Sequence, residues 1–262
     1  HEKDGRVHGR VITNGAVTGR MTHHSPNLAQ VPSVSAPYGR ECRSFWCVPE
    51  GHKLIGCDAS GLELRMLAHY MRDERYTNEI LSGDIHTANM KAAGLTDRNQ
   101  AKTFIYAFLY GAGPAKIGQI VGGGFREGQQ LIDSFLRNTP ALAKLREKVA
   151  THSAGGTLPG LDGRRLRVRS EHAALNTLLQ GAGAVVMKQA LVLLSESLNQ
   201  YDIPHKLVAN VHDEFQIEVP ENFADVVGKA AVRAIRNAGD VLDLRCPLDA
   251  EYNVGNNWAE TH

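Results

Sequence analysis

Apolar residues recur with a helical spacing in residues 98–111, which read RNQAKTFIYAFLYG. The segment begins with strong helix formers, contains no Pro or Gly before its last residue, and stops at a Gly-Ala-Gly-Pro run. Apolar side chains supply one face. Every fourth position carries, in order, Arg98, Lys102, Tyr106 and Tyr110. The pattern predicts a helix with an apolar face and a second face of two cations followed by two aromatic rings.

The same period predicts further helices at 62–70, from an Asp84 N-cap onward, at 125–152 with a break at Pro140, at 172–201 and at 223–238. Apolar runs predict strands at 53–57 and on both sides of the His212-Asp213 turn within 208–219. Weaker signals favour an edge strand near residues 7–11, a turn at 155–160 and a hairpin strand at 161–169.

Composition narrows the class of protein only slightly. The chain has 42% hydrophobic and 22% charged residues and a net charge of +1, so any nucleic-acid contact must come from local basic patches. Four cysteines without a CxxC pair favour a reducing compartment over a zinc site. We find no signal peptide and no apolar run near 18 residues, so no membrane partner is predicted. The first residue is His1 rather than Met, as in a fragment or a processed product.

The charged face of the 98–111 helix suggests a ligand. Two cations at i and i+4 destabilise a helix by about 0.2–0.5 kcal/mol. An anionic ligand bound to both would make their contribution favourable. Two cations followed by two rings suit a polyphosphate at one end and a flat base or sugar at the other. The alternative is an amphipathic helix with a solvated basic edge.

The motif Arg-x3-Lys-x3-Tyr-x3-Tyr-Gly resembles the fingers helix of family A (Pol I-like) DNA polymerases, and AKTFIYAFLYGAG is most similar to the phage branch. Two further motifs follow the family order. DASGLELR, at 58–65, resembles motif A, and the His212-Asp213 hairpin resembles motif C. The tail at 254–262 resembles the family's closing segment, which implies a native polymerase C-terminus.

The resemblance implies two metal-binding carboxylates. Asp58, at the end of a strand, would bind both metal ions, and Ala59 would lend its backbone carbonyl. Asp213 would be the second carboxylate, with the two aspartates and Lys102 as the catalytic set. From the residues alone, an aspartate after a strand such as Asp58 is usually a turn or N-cap residue, and a hairpin aspartate such as Asp213 is a turn former.

The same resemblance implies a nucleotide site. His86, in GDIHT, joins Arg98 and Lys102 as phosphate contacts, although a histidine in a first helical turn is otherwise structural. Glu63 lies beneath the incoming sugar, and together with Tyr106 it closes the space of a ribose 2′-hydroxyl. Tyr110 lies at the template base.

DNA contacts are implied at several further positions. Arg20, in TGR, reaches the minor groove, and Asn176 and Gln180 at i,i+4 test base-pair shape there through acceptors that every pair offers. The remaining members of the predicted set are Tyr110, Gly111, Arg164, Arg165 and His212. The alternatives are solvated charges, a protected edge strand at 164–169 and buried amides that satisfy a neighbouring loop.

The expected fold is α+β, with an antiparallel palm sheet and helical fingers, and without the family's helical thumb and 3′–5′ exonuclease domain. The predicted division is 1–62 palm, 63–150 fingers and 151–262 palm. The implied function is DNA synthesis on primer–template DNA from dNTPs with two Mg²⁺ ions, in the bacterial host cytoplasm for a phage protein. A separate thumb or exonuclease chain, or a processivity factor, is a further candidate partner.

Two alternatives have a different function. A single-subunit RNA polymerase fragment shares the palm, but the pair Glu63 and Tyr106 would block the ribose. A non-catalytic DNA-binding fragment would need a thumb-bearing partner. The spacing Asp249-x-Glu251 lacks further acidic partners and is rejected as a nuclease site.

Overall fold

The computed structural model describes residues 3–262, so His1 and Glu2, which open the first predicted palm segment, lie outside the described residues. The chain forms two compact units. The first consists of the described residues up to Leu62 together with Gly183–His262, and the second is Glu63–Ala182.

Helices and strands follow one another in both units, with short 3-10 turns between some of them. Their bounds are β1 Arg10–Ile12, β2 Thr22–His24, α1 Gly39–Ser44, β3 His52–Ala59, α2 Leu62–Met71, α3 Glu74–Ser82, α4 Ile85–Ala93, α5 Arg98–Leu109, α6 Pro114–Ile120, α7 Phe125–Asn138, α8 Pro140–Ser153, β4 Thr157–Pro159, β5 Arg165–Arg167, α9 Ala174–Gln200, β6 Lys206–Val211, β7 Glu214–Pro220, α10 Ala224–Val241 and β8 Ala250–Gly255.

A four-stranded antiparallel sheet organises the first unit. The strand order is β6-β7-β3-β8, so β3 lies inside the sheet and bonds to a neighbour on each side. Its apolar residues are buried, as is the alternating set Phe215, Ile217 and Val219 of β7. Helix α10 packs against the sheet through its row of small apolar residues. This packing holds the end of β3 in a fixed position.

Helices α4 to α8 pack around an aromatic cluster in the second unit. Phe104 and Phe108 of α5 meet the ring of Phe135 on α7 edge-to-face, with centroids 5.1 and 5.6 Å apart. The predicted apolar face of α5 is therefore buried. Its polar face begins after Asp97, whose side chain caps the helix by accepting from Gln100 N at 2.8 Å.

Most predicted elements are confirmed, with shifted ends. The helix at 125–152 is broken at Pro140, and the hairpin 208–219 turns at His212-Asp213. The prediction for 155–169 was wrong in detail: residues 157–159 form a strand rather than a turn, and the following strand covers only 165–167. Leu158 and Leu166 are paired and buried on this small hairpin, between exposed residues on both strands.

The second unit is longer than the predicted fingers segment. Both start at Glu63, but the unit continues to Ala182 rather than to residue 150. The reason is packing, since the β4–β5 hairpin contacts α8 and the first turns of α9 belong to the same unit.

One helical stretch, Glu171–Gln200, is long and apolar enough by length and composition to cross a membrane. About two thirds of its most apolar window, 67%, is buried inside the molecule, as in the core helix of a globular protein.

Candidate active site

The two aspartates predicted to bind metal lie at the same end of the sheet. Asp58 is the last residue but one of β3, and Asp213 lies in the turn between β6 and β7. The backbone N–H of Ala59 donates to the carbonyl of Asp213 at 2.9 Å, which ties the two segments together. The tight turn requires a left-handed residue, and His212 has a φ of 59°. The fold thus joins two motifs that are far apart in sequence.

Asp58 lies among other carboxylates. It is in register with Glu214 on one neighbouring strand and with Glu251 on the other, and residues directly opposite each other share a face of the sheet. Partial burial, followed by repulsion from Asp213 and Glu214, raises the pKa of Asp58 to about 7. A cation bound here would relieve that repulsion, and hard carboxylate oxygens are the donors that Mg²⁺ takes.

Glu214 and His262 belong to this cluster, although sequence reasoning did not identify them. The buried Glu214 carboxylate accepts from Trp258 Nε1 at 2.6 Å and pairs with His262 Nδ1 at 3.0 Å. Burial acts to raise the pKa of Glu214, but hydrogen bonds from His262 and Gln216 outweigh it and lower that pKa. One ligand atom each of Asp58, Glu214 and His262 lies within 4.8 Å of the others. The only local sequence signal for this cluster was Glu214 itself, which directly follows Asp213.

Asp58→Asn is expected to stabilise the metal-free chain at pH 8. With a pKa of about 7 when folded and 3.8 ordinarily, Asp58 makes its full contribution to stability below about pH 4, and this contribution is lost as the pH rises through 7. The full shift would correspond to about 4 kcal/mol. Although protein atoms surround part of the carboxyl group, the residue as a whole is exposed to solvent, so screening reduces the expected gain to about 1–2 kcal/mol. Urea unfolding of both proteins at pH 5 and pH 8 in chelator measures it.

The control for this experiment is Asp240→Asn on α10, which removes an equal charge from an exposed helical position. Its effect on the free energy of unfolding should not change with pH by the same amount. A lower stability of Asp58→Asn than of the wild type at pH 8 would contradict the assigned repulsion.

The predicted phosphate contacts lie together in the second unit. His86 is in the first turn of α4, and α4 packs against α5, which carries Arg98 and Lys102 on its exposed face. Partial burial, then the charges of Arg98 and Lys102, lower the pKa of His86. Two cations are therefore close enough to an imidazole to act on it electrostatically. Arg98 is held by the carboxylate of Asp84, a contact that the sequence did not predict.

The aromatic half of this face is continuous with the cationic half. The Tyr106 ring lies between those of His86 and Tyr110, with centroid distances of 6.2 and 6.4 Å. The Tyr110 hydroxyl donates to Glu63 Oε2 at 2.9 Å. Glu63, which was predicted to act together with Tyr106, is thus bonded to the tyrosine one helical turn further along α5.

Gly111 ends this face for a steric reason. It has a φ of 79°, and a Cβ there would lie 2.3 Å from the carbonyl oxygen of His172. A glycine is required whether or not DNA approaches it. On α9, Asn176 and Gln180 are both partly exposed between buried neighbours, as two amides on one helix face should be.

The other predicted DNA contacts fall in two places. In the first unit, Arg20 and His212 line one small depression, and partial burial and then the charge of Arg20 lower the pKa of His212. On the β4–β5 hairpin, Arg165 is exposed, whereas Arg164 pairs with Asp162 at 2.6 Å. Arg164 and Arg165 were both predicted to contact DNA, but the charge of Arg164 is already paired with a carboxylate.

Known proteins match the chain over nearly its whole length. The model for the family described as DNA polymerase family A matches residues 1–260. The DNA-directed DNA polymerase of Escherichia phage T7 is 46% identical over 99% of the chain, and that of Escherichia phage Phieco32 is 39% identical over 96%. The chain spans 42% and 47% of the length of these two relatives.

A solved structure shares the fold. It is described as the POL domain of Pol1 from M. smegmatis in complex with DNA primer-template and dNTP. The TM-score is 0.89 at 24% identity, and the match covers 98% of this chain and 49% of that one. The predicted α+β class is confirmed.

Proposed function

The chain belongs to DNA polymerase family A, and we propose that it carries the nucleotidyl-transfer site of a template-directed DNA polymerase. The reaction would add a deoxynucleotide to the 3′-hydroxyl of a primer and release pyrophosphate. In this proposal the sheet unit is the palm and the helical unit that begins at Glu63 is the fingers.

The observation that carries this proposal is the meeting of Asp58 and Asp213 at one sheet end. Each lies in a segment that resembles a family motif, and the Ala59–Asp213 backbone bond joins the two segments at 2.9 Å. A rigid sheet edge holds carboxylates more precisely than a loop does. The raised pKa of Asp58, to about 7, supports the fit of a cation, because its main cause after burial is the repulsion from Asp213 and Glu214, which a metal would neutralise.

Asp58 and Asp213, with the carbonyl of Ala59, would hold two Mg²⁺ ions. When bound, the ions would supply Lewis-acid activation of the attacking hydroxyl and neutralise charge on the leaving group. Glu214 would keep its charge next to them because His262 and Trp258 satisfy its oxygens.

Arg98, Lys102 and His86 would bind the triphosphate and stabilise the charge that develops on the departing phosphates. Tyr106 and Glu63 would contact the sugar, and Tyr110 would lie by the template base. Asn176, Gln180 and Arg20 would donate to minor-groove acceptors, which occur at equivalent places in every base pair.

Primer extension by the purified chain tests the proposal. Mg²⁺, dNTPs and a primed template are supplied, with and without a thumb-bearing chain. Template-dependent incorporation that stops on chelation is expected. Binding of primer–template without extension in either arm would favour a non-catalytic fragment, and preferential use of ribonucleotides would favour an RNA polymerase.

DNA binding by the chain alone is expected to be weak and steeply dependent on salt. The net charge is +1, and the dense basic run is confined to residues 164–169. Arg165→Gln should reduce the slope of log K against log salt by about one, because one phosphate contact is lost. Fluorescence anisotropy with a primer–template between 50 and 200 mM salt, roughly the range over which such contacts are lost, measures the slope. Extension by the chain alone should then be distributive.

Arg164→Gln is the matched control, since the Asp162 carboxylate already neutralises that guanidinium. Its slope should change less than that of Arg165→Gln. Equal slopes for the two variants and the wild type, or long products from one binding event, would contradict this assignment.

Primer–template DNA and dNTPs are the proposed ligands, and a thumb-bearing chain or a processivity factor is a proposed partner. A chain of phage origin would act in the cytoplasm of its bacterial host.

A further inference from the structure

Asp84, the N-cap of α4, is bonded to Thr87 and to two of the proposed phosphate contacts, His86 and Arg98. Its Oδ1 accepts from the backbone N–H of His86 at 3.1 Å and from Arg98 Nη2 at 2.9 Å. Its Oδ2 accepts from Thr87 Oγ1 at 2.7 Å and from Arg98 Nε. One carboxylate therefore caps α4 and pairs with a guanidinium that lies fourteen residues away in sequence.

The geometry of the pair bears on phosphate binding. Arg98 presents its Nε and Nη2 edge, and two parallel N–H donors are also what a guanidinium offers to a phosphate. One of the two such edges of the guanidinium is thus already occupied by a carboxylate, and a polyphosphate that binds this edge must displace it. Both side chains are largely in solvent, with relative exposures of 51% and 38%. Exposed ion pairs are individually weak, so a more highly charged anion can displace this one.

We propose that Asp84 is a positioning residue that holds Arg98 in a two-point pair until a polyphosphate displaces the carboxylate. The inference rests on the proposed function of this face as a triphosphate site. The carboxylate keeps the guanidinium extended beside His86 and competes with any anion for it. Weakly charged anions are thereby disfavoured relative to a triphosphate.

Three helices of the second unit have an acidic N-cap, so the effect of the Asp84 charge on Arg98 can be separated from its effect as a helix cap. Asp73 and Asp97 cap α3 and α5 by accepting from Tyr76 N and Gln100 N. Asn caps a helix about as well as Asp, so Asp84→Asn keeps the cap and removes only the charge that faces Arg98. Asp84→Ala removes both. Asp97→Asn removes a charge next to Arg98 in sequence and keeps the cap of α5.

The experiment measures the binding of inorganic tripolyphosphate to the 262-residue chain by calorimetry, without DNA. Asp84→Asn is expected to bind about two- to fivefold more tightly than the wild type, the range that loss of an exposed ion pair allows. Asp97→Asn should stay nearer to the wild type. The gain should vanish when Arg98→Gln is combined with Asp84→Asn. The relative gain in affinity that Asp84→Asn causes should be at least as large for orthophosphate as for tripolyphosphate.

Primer extension supplies the second readout. Asp84→Asn should lower KM for dNTP with little change in kcat, whereas Asp84→Ala, which also loses the cap, should lower kcat. Unchanged tripolyphosphate binding in Asp84→Asn, or an equal gain in Asp97→Asn, overturns the inference. A wild type that does not extend primers but shows the expected binding series would refute the proposed function and leave the role of Asp84 standing.

Discussion

Asp58→Asn and Asp213→Asn are each expected to lower the rate of primer extension by about a thousandfold or more. Asn has almost the same shape as Asp but lacks the charge, and its amide is a poor ligand for a hard cation. Binding of primer–template should change only a few-fold, because neither residue belongs to the basic patches that contact phosphates. Single-turnover extension with Mg²⁺, together with anisotropy measurements of DNA binding, separates the two effects.

Glu251→Gln provides a matched control for these variants. Glu251 is in register with Asp58 on the strand opposite Glu214, so the change removes a carboxylate from the same face of the sheet. A loss smaller than about tenfold is expected if metal binding depends on specific carboxylates. If Glu251→Gln slowed primer extension as much as Asp58→Asn, the total negative charge of the site, rather than specific carboxylates, would explain metal binding. Near-wild-type extension by either aspartate variant would refute the two-metal assignment.

One arrangement of charges explains why Asp58→Asn is expected both to stabilise the metal-free chain and to slow primer extension. Burial, and then repulsion from the carboxylates crowded at the end of β3, raises the pKa of Asp58 to about 7 in the metal-free chain. The same crowding creates the charge that a divalent cation needs. The site therefore lowers the free energy of unfolding at neutral pH, as functional sites often do.

Features with a local cause could be predicted from the sequence. Asp58 and Asp213 each lie where an apolar strand ends, and the hairpin at His212-Asp213 is fixed by its own turn. The face of α5 follows from a spacing of four residues along one helix. In each case a few neighbouring residues contain the whole signal.

Features that join distant segments were missed. His262 reaches Glu214 only because the tail folds back, and Arg98 reaches Asp84 only because α4 packs against α5. Strand β8 was missed for another reason. Its sequence AEYNVG does alternate apolar and polar residues, but the segment is short, and in the structure only its two ends are buried.

The structure shows a hydrogen-bond partner for Glu63, which is predicted to lie beneath the sugar. The Tyr110 hydroxyl donates to Glu63 Oε2 at 2.9 Å, which restrains the carboxylate predicted to lie beneath the sugar. Glu63→Ala is expected to admit ribonucleotides, because it opens the space of the 2′-hydroxyl. Tyr110→Phe should have the same effect more weakly, because Glu63 remains but loses this partner.

Tyr106→Phe is expected to change selectivity on the other side of the sugar. The resemblance implies that family members with Tyr here accept dideoxynucleotides readily, since the hydroxyl can replace the missing 3′-hydroxyl as a hydrogen-bond partner near the phosphates. A hydrogen bond to a charged group is worth about 1.5–3 kcal/mol, or about one to two decades of selectivity. Tyr106 lies between His86 and Tyr110 in the second unit, next to a predicted phosphate contact.

Values of kcat/KM for dNTP, ddNTP and rNTP on the wild type, Tyr106→Phe, Tyr110→Phe and Glu63→Ala separate the two sides of the sugar. Tyr110→Phe is the matched control, because it removes the same hydroxyl one helical turn away from Tyr106. Only Tyr106→Phe should raise discrimination against ddNTP, and only Glu63→Ala and Tyr110→Phe should relax discrimination against rNTP. If Tyr106→Phe left the dNTP/ddNTP ratio unchanged, the Tyr106 hydroxyl would not face the sugar. The nucleotide would then bind α5 in another orientation.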